Sequence, residues 1–115
     1  MKSAMVLVAL GSNKPHGRHG PPRAVLVAAM AALDGQGIKL VAQSRIRTTD
    51  PVGPSSRSYA NAAVVVKTKL PLPELLRRLK QLEAKFGKRR GQRWGARTLD
   101  LDIIGAGDAV LPSRL

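Results

Sequence analysis

Two of the seven acidic residues of this chain lie two positions apart within an apolar segment, "TLDLDIIG" at residues 98–105. Alternate side chains of a β-strand point to the same face, so a strand here would place Asp100 and Asp102 side by side. Two adjacent carboxylates repel each other, and a hard divalent cation such as Mg²⁺ relieves that repulsion. The spacing therefore predicts a magnesium site, and the alternative is an inert, solvent-facing charge pair at the edge of a sheet.

A strongly basic segment comes directly before these acids. Residues 88–97, "KRRGQRWGAR", contain five cationic side chains, two glycines and one aromatic ring. Arginine can donate two parallel hydrogen bonds to phosphate oxygens, and glycine frees the backbone to move. The segment predicts a mobile cationic flap that can bind phosphate oxygens. A solvated basic loop and an RNA contact with Trp94 as a stacking platform stay open as alternatives.

The bulk composition indicates one domain, residues 1–115, with an aliphatic core, because 43% of the residues are apolar and only three are aromatic. A net charge of +13 favours anionic ligands without choosing among nucleic acid, a phospholipid surface and a nucleotide. The absence of cysteine excludes disulfides and thiolate metal sites. The apolar run at 5–10 favours a buried strand over a short signal peptide, and no run is long enough to span a membrane.

Periodicity and turn residues predict six secondary-structure elements. Pro22 and Pro73 suit the first turns of two helices, which Gly35 and Gly87 would end. Turns are predicted at 11–13 and 105–108. The predicted order is a strand at 5–10, a helix at 23–33, strands at 38–49 and 60–68, a helix at 72–86 and a strand at 98–104. This order is typical of the α+β ferredoxin-like βαββαβ sandwich, with an antiparallel four-stranded sheet and two helices on one face.

Several segments resemble the 6-hydroxymethyl-7,8-dihydropterin pyrophosphokinase family: "ALGSN" at 9–13, "TDPVGP" at 49–54 with "YANA" at 59–62, and "RWGARTLDLDI" at 93–103. The resemblance implies transfer of diphosphate from ATP to the hydroxymethyl group of a reduced pterin, with release of AMP, in folate biosynthesis. It also implies a cytoplasmic monomer with no nucleic-acid or membrane partner.

The resemblance also implies roles for individual residues. Asp100 and Asp102 would hold two Mg²⁺ ions, and the catalytic cations would be Arg97, Lys88 and Arg90. The pterin-binding residues would be Thr49, Val52, Tyr59, Asn61 and Trp94. The ATP-binding residues would be Glu83, Arg90, Arg97, Ile103 and Arg114. The alternatives are that Tyr59 and Trp94 are ordinary core residues and that Glu83 is an exposed helix acid paired with Lys80 or Arg90.

The chain also departs from the family pattern. It stops at "LPSRL", where family members continue with a further C-terminal segment, and Lys88 stands where an arginine is usual. Two other functions therefore stay open: a substrate-binding fragment without turnover, and a basic RNA-binding module of the same topology. RNA-binding sheets of this topology display several aromatic residues, so the three aromatics of this chain favour the enzyme.

Overall fold

The computed structural model describes residues 3–13, 19–49, 59–87 and 98–107. The elements are β1 (Ala4–Ser12), α1 (Pro22–Leu33), β2 (Ile38–Gln43), β3 (Arg47–Thr49), β4 (Tyr59–Thr68), α2 (Leu72–Gly87) and β5 (Asp100–Ala106). The strands pair antiparallel in the order β2-β4-β1-β5, and the short β3 also pairs with β4. This arrangement confirms the predicted α+β class and the ferredoxin-like order of the long strands.

The two helices bury apolar stripes against one face of the sheet. Proline at the first position of α1 supplies a backbone angle that is already helical. In α2, Leu75, Leu79 and Phe86 are the buried residues, while Glu74 in the first turn and Lys85 in the last turn complement the helix dipole. No helix within the described ranges is long and apolar enough to cross a membrane.

The core between sheet and helices is aliphatic, as the composition predicts. Alternate residues of β1 face it, and Val6, Val8 and Leu10 are at most 2% exposed. Further core residues from the other elements are Val25, Leu26, Ala29, Val64, Val66, Leu75, Leu79, Leu99 and Leu101. Phe86 is the one aromatic side chain among the buried core residues that the structure describes.

The sheet has five strands rather than the predicted four because the segment 38–49 is divided. The register of β2 on β4 shifts between Leu40 and Ala42, and residues 44–46 leave the strand. Ser44 fills the gap by donating its N–H to the Ala63 carbonyl over 2.8 Å, while its Oγ accepts from the Ala63 N–H over 2.9 Å. The chain then pairs with β4 again as β3.

Two strand boundaries also differ from the prediction. Gly11 and Ser12, predicted to begin a turn, continue β1 because both have partners on β4. β5 begins at Asp100 rather than at residue 98 and continues to Ala106, past the glycine predicted to end it. The register of β1 on β5 shifts between Leu7 and Val8, which accommodates the extra residue in β5.

Candidate active site

The face of the sheet opposite the helices, called the outer face from here on, carries several of the predicted site residues. Residues directly opposed on antiparallel strands share a face. Arg47 of β3 is opposite Asn61 of β4, and Asn61 is opposite Gly11 of β1. Gly11 is in turn opposite Asp100 of β5. These residues therefore form one row across four neighbouring strands of the outer face.

The two acids of β5 lie on this outer face together, as their spacing predicts. Asp102 is opposite Ala9, one pleat along from the pair of Asp100 and Gly11. Asp100 is half-buried and Asp102 is exposed. In the described ranges no third His, Cys, Asp or Glu lies close enough to complete a metal site. Two carboxylates without further protein ligands suit Mg²⁺, which usually keeps water and substrate phosphates in its coordination shell.

Small residues separate the two acids from the predicted pterin-binding residues. Gly11, Ala9 and Ala63 occupy the outer face between Asn61 and the two acids. A Cβ at Gly11 would lie 3.4 Å from the Asn61 Oδ1, so the amide of Asn61 leans over this glycine. Neighbouring strands lie about 4.8 Å apart, which puts Asn61 and Asp100 roughly 10 Å from each other across the gap. A ligand that contacts both the amide and the carboxylates must therefore span this distance.

Tyr59 and Thr49 lie next to Asn61 and Arg47, at the end of the row where pterin binding is predicted. Thr49 is directly opposite Tyr59, two residues along from the pair of Arg47 and Asn61, so these side chains share the outer face. Tyr59 is 48% exposed, and the alternative that it is a core residue is therefore wrong. The structure brings three of the predicted pterin-binding residues together, and their role in binding stays a prediction.

Glu83 of α2 contacts the strand that carries the acids. Its Oε2 accepts a hydrogen bond from the Leu101 N–H over 2.6 Å, and its Oε1 lies 3.4 Å from Lys80 Nζ. The predicted alternative to a nucleotide contact was an exposed acid paired with Lys80 or Arg90. The pairing with Lys80 is present, but the acid is not exposed, because only 14% of the Glu83 side chain is accessible. Ile103, opposite Val8, packs against the core on the other face from the acids. ATP contacts by Glu83 and Ile103 stay predictions.

The remaining predicted site residues lie outside the described residues: Val52, Lys88, Arg90, Trp94, Arg97 and Arg114. The two residues that flank the basic segment 88–97 are described and lie against each other. A Cβ at Gly87 would lie 2.5 Å from Cβ and Oγ1 of Thr98, which is itself buried. The described residues on either side of the basic segment therefore lie in contact, directly before β5.

Sequence reasoning missed Arg47 and misplaced Gly11. The pattern of 38–49 predicts one strand but not its partner, so it does not connect Arg47 with Asn61. The two-residue spacing between Arg47 and Thr49, a predicted pterin-binding residue, was the available signal that they share a face. Gly11 belongs to "ALGSN", where Gly-Ser-Asn predicts a turn, whereas it lies in the strand between Asn61 and Asp100.

Comparisons with known proteins show which family the chain resembles. The family model described as 7,8-dihydro-6-hydroxymethylpterin-pyrophosphokinase (HPPK) matches residues 7–114. Three relatives are each named 2-amino-4-hydroxy-6-hydroxymethyldihydropteridine pyrophosphokinase. The one from Pseudomonas aeruginosa is 38% identical over 108 residues, covering 92% of this chain and 64% of the relative. The one from Pseudomonas putida is 40% identical over 105 residues, covering 90% of this chain and 83% of the relative.

The third relative, from Bacillus subtilis, is 40% identical over 99 residues, covering 84% of this chain and 56% of the relative. The chain thus spans less than two thirds of the length of the Pseudomonas aeruginosa and Bacillus subtilis proteins.

Proposed function

The chain belongs to the 7,8-dihydro-6-hydroxymethylpterin-pyrophosphokinase family, and from this premise we propose that it transfers diphosphate from ATP to 6-hydroxymethyl-7,8-dihydropterin. The observation that carries the proposal is the row of Asn61, Gly11 and Asp100 on the outer face. One end of this row offers an amide and an exposed phenol ring, the other offers two carboxylates, and small residues lie between them.

The reaction requires positioning more than covalent chemistry from the protein. The hydroxymethyl oxygen of the pterin bonds to the β-phosphorus of ATP, and the bond from that phosphorus to the oxygen shared with the α-phosphorus breaks. AMP leaves with this oxygen, and the hydroxyl proton passes to water. In transfers of this kind, alignment of the two reactants and neutralisation of phosphate charge account for most of the rate enhancement.

Asp100 and Asp102 are the proposed magnesium ligands. Their carboxylates are hard oxygen donors on one face, and within the described part of the chain Asp102 has no ion-pair partner that would compete with a cation. Mg²⁺, when bound, supplies positive charge to the triphosphate. The family resemblance supports two ions.

The pterin is proposed to lie over Gly11 with its ring at the Tyr59 and Asn61 end. The Asn61 amide can donate and accept hydrogen bonds at the polar edge of a flat heterocycle. The exposed Tyr59 ring offers a face for offset stacking. Thr49, opposite Tyr59, borders the same end. By resemblance alone, Val52 and Trp94 complete this pocket.

The ATP end of the site is proposed from the resemblance. Lys88, Arg90 and Arg97 belong to the basic segment before β5, and their charges suit a triphosphate. Arg114 and Ile103 are proposed as further nucleotide contacts. The resemblance also supports a cytoplasmic monomer whose ligands are small molecules.

A fluorescence titration followed by a turnover assay tests this function. Trp94 is the single tryptophan, so its emission reports on ligands near the basic segment. The protein is titrated with a non-hydrolysable ATP analogue with and without Mg²⁺, and AMP release from ATP is then measured with the pterin present. We expect Mg²⁺-dependent quenching and pterin-dependent AMP release. Asn61→Ala is expected to weaken pterin binding roughly tenfold, the value of one or two hydrogen bonds, without changing binding of the nucleotide.

Other outcomes would favour the other functions. Salt-sensitive binding of single-stranded RNA, with no response to the nucleotide, would indicate an RNA-binding module and not an enzyme. Binding of both substrates without AMP release would leave a substrate-binding fragment. On the outer face of the described residues Tyr59 is the one aromatic side chain, which disfavours base stacking on the sheet.

A further inference from the structure

Glu83 supplies a hydrogen-bond acceptor at the outer edge of β5. This strand lies at the end of the sheet, with β1 as its one strand neighbour in the described structure. Backbone groups of a strand alternate in direction, so the N–H of Leu101 points away from β1 when those of Asp100 and Asp102 point toward it. The Leu101 N–H meets the Glu83 Oε2 at 2.6 Å. An edge donor that would otherwise face water is thereby tied to α2.

The surroundings of Glu83 fix the position of its carboxylate. Only 14% of its side chain is exposed, and Lys80 Nζ lies 3.4 Å and 3.5 Å from its two oxygens. A hydrogen bond to an ionised acceptor is shorter and about twice as strong as one between neutral groups. The contact therefore fixes the backbone of Leu101 more firmly than solvent would.

Glu83 approaches the acids through the backbone between them and not through their carboxylates. Leu101 lies between Asp100 and Asp102 in sequence, and its side chain is fully buried in the core. Among the described residues no three acids or histidines lie close enough to share a metal ion, so Glu83 is not a third ligand. Its contact can act on the two acids only by setting the position of β5.

We propose that Glu83 is a positioning residue that holds Asp100 and Asp102 at the separation a divalent cation requires. The proposal rests on the proposed function in one respect, namely that these two acids bind Mg²⁺. Without the hydrogen bond, the edge strand would have β1 and side-chain packing alone to fix it, and the carboxylates would sample a wider range of positions. Metal affinity would then fall while the fold persists.

Two substitutions separate the hydrogen bond from the charge. Glu83→Gln keeps an oxygen that can accept from the Leu101 N–H and removes the charge. Glu83→Asp keeps the charge on a side chain one methylene shorter, which cannot reach Leu101. Glu74→Gln serves as the matched control, because Glu74 lies on the same helix and pairs with Arg77 and Arg78 instead. Cooperative urea unfolding confirms that each variant is folded before it is used.

Hydrogen exchange of the Leu101 amide, measured by ¹⁵N NMR without ligands, is the first readout. We expect Glu83→Asp to speed this exchange roughly tenfold relative to amides of β4, the effect of losing one charge-assisted hydrogen bond. Glu83→Gln is expected to change it by a factor of about three or less, and Glu74→Gln to leave it unchanged. Unchanged exchange in Glu83→Asp would overturn the proposal.

The second readout is calorimetric binding of a non-hydrolysable ATP analogue with Mg²⁺ and with EDTA. For a positioning residue, Glu83→Asp weakens only the Mg²⁺-dependent binding, roughly tenfold, and Glu83→Gln retains most of it. Equal losses in both variants, with and without Mg²⁺, would instead identify Glu83 as a direct nucleotide contact and overturn positioning. If Asp100→Ala with Asp102→Ala left Mg²⁺-dependent binding intact, the proposed metal site would fail, although the response of the Leu101 amide to Glu83→Asp would remain.

Discussion

The two faces of the sheet are built from the same strands, and around the two acids they have opposite chemical character. On the helix-covered face, Val8, Leu10 and Leu101 are at most 2% exposed. On the outer face, the residues next to them in sequence are Gly11, Asp100 and Asp102, which are small or charged. Because side chains alternate along a strand, neighbouring residues can serve stability and ligand binding separately. Substitutions at neighbouring positions of β1 or β5 should therefore affect either stability or ligand binding, and not both.

The largest expected effect is on the outer face. Replacing Asp100 and Asp102 together by alanine is expected to reduce AMP release at least about a thousandfold, because charge compensation in phosphoryl transfer is worth several kcal/mol. The urea midpoint should change little, since the repulsion between two neighbouring carboxylates is removed while the net charge of the chain rises from +13 to +15. Single-turnover kinetics and urea unfolding measure the two effects. A marked loss of stability with activity retained would contradict the separation of the faces.

The helix-covered face should respond in the opposite way. Leu10→Ala removes a side chain that is 2% exposed and is expected to lower the free energy of unfolding by about 2–5 kcal/mol. The matched control is Ile104→Ala on β5, where the side chain is 60% exposed, and it should cost about 1 kcal/mol or less. Urea unfolding gives both values. Equal costs at these two positions would contradict the dependence on burial.

The contact between Gly87 and Thr98 connects the end of α2 with the start of β5. The Cβ in Gly87→Ala would lie 2.5 Å from the buried Thr98, so α2 and the start of β5 must move apart. We expect a loss of about 1–3 kcal/mol in unfolding free energy, and weaker Mg²⁺-dependent nucleotide binding because β5 carries the acids. The same change in a Thr98→Gly background should cost less, as a double-mutant cycle can show. Additive costs would exclude a direct clash.

The smallest expected effect lies on the surface of α2. A hydrogen bond from Arg77, with a further contribution from Arg78, holds the pKa of the Glu74 carboxyl below its usual range. A lowered pKa in the folded state adds stability above the ordinary glutamate pKa, and this contribution disappears as the pH falls through the lowered value. The Tm difference between the wild type and Glu74→Gln should therefore be small at neutral pH and vanish in strong acid. A Tm difference that grows as the pH falls would contradict this prediction. AMP release by Glu74→Gln should equal that of the wild type.

Much of the fold follows from local patterns. The apolar stripe of α2, the proline that begins α1 and the apolar runs of β1 and β4 each predict their element, and the observed boundaries agree within a few residues. The division of 38–49 could not be predicted, because it depends on Ser44 pairing with Ala63 nineteen positions away. The continuation of β1 through Gly11 has the same origin, since partners on both sides keep a glycine in a strand.

The sequence by itself determined that Asp100 and Asp102 share a face, because a strand repeats every two residues whatever surrounds it. It also determined the helices and the aliphatic composition of the core. Only the tertiary structure decided that Asn61 and Asp100 flank Gly11, that Arg47 joins their row and that Glu83 binds the backbone of Leu101. These relations depend on strand register and helix packing, which are set by contacts between residues far apart in the chain.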